Sequence, residues 1–153
     1  MIRLASILES VGFSNWVAPS ISDLKREYHV EHELKGLEYF ESEKDFINAC
    51  KRGKLTSITK AMNSNIDNRS NTRSFTGLLR LISSYRSYPK YRNEDTLRGI
   101  YDAFKANKQM DLPIVLKDES GSMRVFSGNT RLDVAFQLGL TPKALVVSIQ
   151  GEL

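Results

Sequence analysis

The chain is short of cysteine and proline and has no long apolar run, and each shortage removes a class of protein. A single cysteine, Cys50, stands among 153 residues. No internal disulfide can form, so the disulfide-stapled secreted scaffolds are excluded and a reducing, cytoplasmic location is expected. Four prolines and nine glycines are too few for a collagenous or Pro/Gly-rich disordered chain. No apolar stretch approaches the roughly 20 residues that cross a bilayer. The opening Met1–Leu8 meets Glu9 before it reaches signal-peptide length, and no membrane partner is expected. The two histidines, His29 and His32, share a predicted helical face beside Glu31 and Glu33. They lack a third ligand and the order of a zinc-protease motif, so they read as surface residues and no metal site is assigned. Walker-type loops and Gly-x-Ser-x-Gly elbows are absent as well.

With 41% hydrophobic and 26% charged residues the chain can bury a core, and its formal charge of +4 permits a polyanionic partner without requiring one. Two capping-type signals open helices in the first sixty residues. Ser20 with Asp23 precedes Leu24, Tyr28 and Leu34 and stops near Gly36; Ser42 with Asp45 precedes Phe46, Ile47, Ala49 and Cys50 and stops at Gly53. Cys50 therefore falls on an apolar face, as a core residue. A third, weaker helix is expected from Thr56 to about Met62. Residues 63–72 form a polar break, and Phe75, Leu78, Leu79 and Ile82 return to helical spacing. After Pro89, Asn93 caps a helix with Glu94 and Asp95 in its first turn and Leu97, Ile100, Tyr101 and Phe104 on its buried face.

The period then changes. Residues 112–117 and 123–127 read as strands around a turn at 118–122; a helix follows Gly128, ends at Gly139 ahead of Pro142, and residues 144–149 form a last strand. The expected fold is α+β: a small mixed β-sheet with packed helices over 67–153, preceded by a helical N-terminal module over 1–66.

One tract carries the strongest chemical signal. Val125-Phe126-Ser127-Gly128-Asn129-Thr130-Arg131-Leu132 reads as strand, tight turn and helix, with an apolar stripe at Leu132, Ala135, Phe136 and Gly139. A turn opening directly into a helix leaves backbone N–H groups aimed outward at the positive end of the helix dipole. Gly128 lets backbone approach a ligand, Arg131 adds a forked positive charge, and Ser127, Asn129 and Thr130 add side-chain groups. That is the local physics of a phosphate site. The plainer alternative is a structural turn in which Arg131 pairs with a carboxylate.

The stretch from about Ser84 to Ile149 resembles the ParB/sulfiredoxin-like superfamily. Pro113-Ile114-Val115-Leu116, the short hairpin, and Ser127-Gly128-Asn129-Thr130-Arg131-Leu132 with Ala135 carry the likeness. In that family a G-x-x-R segment holds nucleotide phosphates at a helix N-terminus. The segment Tyr91-Arg92-Asn93-Glu94-Asp95 sits where the family places further contributors to its nucleotide site. The resemblance implies a nucleoside triphosphate (ATP or CTP), with Mg²⁺, held by Ser127, Gly128, Asn129, Thr130 and Arg131 and assisted by Arg86 and Arg92. It leaves NTP hydrolysis or phosphate transfer as open activities, with Glu94 or Asp95 as the carboxylate. Sulfiredoxins carry a cysteine where this chain has Asn129, and partition clamps usually carry a second arginine where it has Thr130. No helix-turn-helix follows the motif within the chain, so neither a sulfiredoxin nor a complete partition clamp is expected. Residues 1 to about 66 lie outside the resemblance.

Residues 68–93 contain no acidic side chain but carry Arg69, Arg73, Arg80, Arg86, Lys90 and Arg92, with Tyr85, Tyr88 and Tyr91 interleaved. Cations of this spacing with aromatic rings suit phosphate backbones and stacked bases. Arg80, Tyr85, Tyr88, Lys90 and Tyr91 are thus candidate DNA or RNA contacts, and a nucleic-acid-binding protein or metal-dependent nuclease is the second reading. A non-catalytic module that docks a protein partner through its N-terminal helices is the third.

Overall fold

The computed structural model describes Phe13 and residues 15–35, 39–67 and 94–153. These residues form an α+β fold. In chain order the elements are β1 (Trp16–Val17), α1 (Ile21–Lys35), α2 (Glu43–Lys51), β2 (Lys54–Ser57), α3 (Lys60–Ser64), β3 (Ile66–Asp67), α4 (Glu94–Lys105), β4 (Met110–Asp111), β5 (Ile114–Lys117), β6 (Met123–Ser127), α5 (Asn129–Gln137) and β7 (Lys143–Ser148).

Five strands make a mixed sheet in the order β2-β7-β5-β6-β3. β5 and β6 pair as the expected hairpin, β7 joins β5 in parallel, and β2 and β3 supply the two edges. In β5 all of Ile114, Val115 and Leu116 are buried, because side chains alternate between two covered faces. Ile114, Leu116, Phe126 and Val147 face α1 and α2, where they meet Leu24, Tyr28, Phe46, Ile47 and Cys50. Val115, Val125 and Ala144 face the other way, against Leu132 of α5 with Ile58 and Ile66. A third cluster joins α4 and α5 through Phe104, Val134 and Ala135, closed by Phe13 and Trp16. The parallel pair β1–β4 runs alongside and fixes the approach to β5.

The helix signals act as expected. Ser20 Oγ accepts from Asp23 N–H at 3.1 Å while the Asp23 carboxylate accepts from Ser20 N–H at 3.3 Å, a reciprocal cap. Ser42 Oγ accepts from Asp45 N–H at 3.2 Å. Cys50 is buried. α5 closes with a Schellman arrangement, Leu140 N–H to Ala135 O at 2.9 Å and Gly139 N–H to Phe136 O at 3.0 Å.

Three expectations need correction. The weak helix at 56–62 is instead strand β2 followed by the short α3, which starts only after Thr59, whose hydroxyl accepts from Met62 N–H. β2 exists because its backbone pairs with β7 across some ninety residues of sequence, a tertiary preference that local composition cannot express. The front of the chain is therefore not a purely helical module: β2 and β3 belong to the same sheet as β5, β6 and β7, and part of the polar break, Ile66–Asp67, is a strand. The stripe on α5 is also broader than expected, since Asp133 and Val134 are buried with Leu132 and Ala135, whereas Gly139 is exposed. The helix predicted around Phe75–Ile82 and the cap at Asn93 lie outside the described residues.

Candidate functional site

The tract singled out by sequence is assembled by two neighbouring pieces of backbone. Met110 N–H bonds Asn15 O and Leu112 N–H bonds Val17 O, both at 2.9 Å, so β1 holds β4 and the following Pro113 against the end of β6. There the chain turns at Gly128, with φ 100° and ψ 22°, a conformation closed to most L residues. A Cβ at this position would stand 2.7 Å from Pro113 Cβ, 2.8 Å from Pro113 Cα and 3.0 Å from Arg131 Nη2. The glycine is therefore demanded by packing inside the protein, and no ligand is needed to account for it.

Arg131 lies across the same corner. Its Nη1 donates to the Asp111 carbonyl at 2.9 Å, and its Nη2 to Ser127 Oγ at 3.3 Å, engaging two of the five donors a guanidinium carries. Burial pulls its pKa below the ordinary value, with the opposing carboxylates of Glu27 and Asp111 acting to raise it. Ser127 is itself buried and donates from its hydroxyl to Glu27 Oε2 at 2.9 Å. Glu27, Ser127 and Arg131 thus form one chain of polar contacts linking α1, the end of β6 and α5. Arg131 makes no direct ion pair with a carboxylate among the described residues; Glu27 is linked to it through the serine hydroxyl.

The N-terminus of α5 is left open. Helices α1, α2 and α3 are each capped by a side chain, from Ser20, Ser42 and Thr59. Gly128 offers none to α5, so the first N–H groups of that helix have no side-chain cap from this position. Asn129 Oδ1 is buried without a hydrogen-bond partner among the described residues. An orphaned buried oxygen costs about 1–3 kcal/mol of desolvation, so this corner is polar beyond what the described residues satisfy.

Of the other expected site residues, Glu94 and Asp95 fall in the first turn of α4, the helix that packs on α5; their side chains lie outside the described residues. So do Arg80, Tyr85, Arg86, Tyr88, Lys90, Tyr91 and Arg92. His29 bonds Glu43 at 2.7 Å in an exposed pair. No three His, Cys, Asp or Glu side chains gather as a metal-ligating group among the described residues, and none of the described helices is long and apolar enough to cross a membrane. Cys50 is pushed up to about 12 by burial, which leaves its thiol protonated and inert.

Glu27 is the residue that sequence reasoning passed over. A signal was present: Leu24, Glu27 and Tyr28 share one face of α1 at helical spacing, and Leu24 and Tyr28 are buried. A carboxylate on the inward stripe of a helix requires a partner, and Ser127 with Arg131 supplies it. Compared with known proteins, the chain matches no family model, no curated protein and no solved structure.

Proposed function

We propose that the protein binds a nucleoside triphosphate of the ATP or CTP type, in the manner of the ParB/sulfiredoxin-like proteins that its sequence resembles. The phosphates lie at the N-terminus of α5. The observation that carries this reading is the contrast at the helix starts: three helices are closed by side-chain caps, whereas α5 presents uncapped N–H groups beside Arg131. Backbone donors there meet an anion at the positive end of the helix dipole, and the guanidinium donors not used internally match phosphate oxygens. Mg²⁺ enters with the nucleotide, as its counter-ion, because Mg²⁺ keeps several waters and needs few protein ligands. Whichever of Glu94 and Asp95 turns toward the phosphates supplies the carboxylate for hydrolysis or transfer.

The test is a thermal-shift series with ATP, CTP, GTP and UTP and their diphosphates, with and without Mg²⁺, on the wild type and Arg131→Ala. At a ligand concentration about 100-fold over Kd, binding to the native state adds about 2.7 kcal/mol. A rise for one nucleotide that is lost in the variant is expected. Equal shifts in a folded variant, or none in the wild type, would overturn the reading.

A further inference from the structure

The polar groups around Arg131 are already engaged before any ligand arrives. The carboxylates of Glu27 and Asp111 favour its charge through space, and the Ser127 hydroxyl, which could serve a phosphate oxygen, is spent on Glu27 Oε2 at 2.9 Å. A phosphate entering this arrangement would bring further negative charge beside the Glu27 carboxylate, which already holds Ser127, and like charges in a partly buried corner repel strongly. Asp111 is fixed in the backbone of β4, where its carbonyl accepts from Arg131. Glu27 is the adjustable partner. It reaches the corner from α1 on a flexible side chain and is only partly buried, so it can turn to water and release α1 from this tether to the sheet.

We propose that Glu27 is a built-in competitor for the anion site: its carboxylate and the ligand's phosphate exchange for the Ser127 hydroxyl that links Glu27 to Arg131. This rests on the phosphate reading above and adds a regulatory link. Whatever firms the seat of α1 on the sheet lowers affinity for the anion, and the anion in turn loosens α1, since such coupling is reciprocal.

The probe is inorganic tripolyphosphate, titrated by calorimetry into the wild type, Glu27→Gln and, as a control for overall charge, Glu119→Gln on the exposed hairpin turn. Glutamine keeps the shape and an acceptor for Ser127 but removes the competing charge. Affinity is expected to rise on the order of tenfold in Glu27→Gln, equivalent to about 1.4 kcal/mol, and to stay within about twofold in Glu119→Gln. Unchanged or weaker binding in Glu27→Gln, or an equal gain in both variants, overturns the exchange and leaves the phosphate site standing. Absence of binding in all three proteins overturns the phosphate reading itself. If Glu27→Gln does not fold, amide exchange of the wild type decides. Faster exchange within Ile21–Lys35 on adding tripolyphosphate supports the exchange of partners, and slower or unchanged exchange there overturns it.

Discussion

Replacing Gly128 by alanine isolates the strain at the β6–α5 turn. The turn holds φ at 100°, beyond even the narrow left-handed region open to L residues, and a left-handed L residue costs about 1–2 kcal/mol. The added methyl would also stand 2.7 Å from Pro113 Cβ and 2.8 Å from Pro113 Cα. Neither atom is the end of a flexible chain, and Leu145 N–H bonds the Pro113 carbonyl at 2.8 Å, which fixes Pro113 to the sheet. Overpacking of this kind costs about 1–3 kcal/mol. Gly128→Ala should therefore lose about 3 kcal/mol, lowering the melting temperature by about 6–12 °C in a chain of this size. Gly121→Ala is the internal control. That glycine also has a positive φ, 93°, but a methyl there meets nothing within 4 Å, so only the conformational cost of about 1–2 kcal/mol applies. Urea unfolding of both variants, read as midpoint shifts at constant slope, separates the two contributions. Equal losses in the two variants would refute the claim that Pro113 imposes the glycine.

Asp118 accepts from Leu153 N–H and from the Ser120 hydroxyl and the Ser120 and Ser122 amides, and these bonds, led by that of Leu153, hold its carboxyl below the ordinary carboxylate value. Its stabilisation is thus present above the unfolded value and lost as pH falls through the lower folded one. Melting curves of the wild type should drop more steeply on acidification below about pH 4 than those of Asp118→Asn, and parallel curves would contradict this. Phe46 is fully buried and packs against Tyr28, Phe40 and Phe126, so Phe46→Ala should cost about 3–5 kcal/mol in denaturant unfolding; a loss under about 1.5 kcal/mol would mean that the sheet does not rest on α2 there. Cys50, buried with its thiol pushed up to about 12, should resist a disulfide reagent at pH 8 until the protein unfolds. Labelling that outpaces unfolding would contradict its burial.

How much of this was legible in the sequence depended on how local the cause was. The caps at Ser20 and Ser42 act within one helical turn, and the β5–β6 hairpin closes over a few residues; both were readable. So were the strand, turn and helix around Gly128, because a glycine between an apolar strand and a helical stripe leaves few alternatives. β2 was not, since only Leu55 among its four residues is strongly apolar and that side chain is exposed, its pairing being with β7. β3 hid in a polar stretch for the same reason. At the site, sequence supplied Ser127, Gly128, Asn129, Thr130 and Arg131, but not the Asp111 carbonyl, which accepts from Arg131, or Glu27, which is linked to it through Ser127. It also offered a ligand as the reason for Gly128, where the nearest cause is Pro113.

The sheet takes both of its edges from the front of the chain, β2 flanking β7 and β3 flanking β6. During synthesis, then, the hairpin and β7 emerge after the strands that border them, at sequence separations that make closure slow. The converse concerns any attempt to cut the protein at about residue 67. The remaining β7-β5-β6 core would keep its hairpin but bare two strands whose backbone groups had partners, and bared strands recruit whatever strand comes next. Such a fragment is a template for self-association, with the residues ahead of the cut serving in the whole chain as the guards of its sheet.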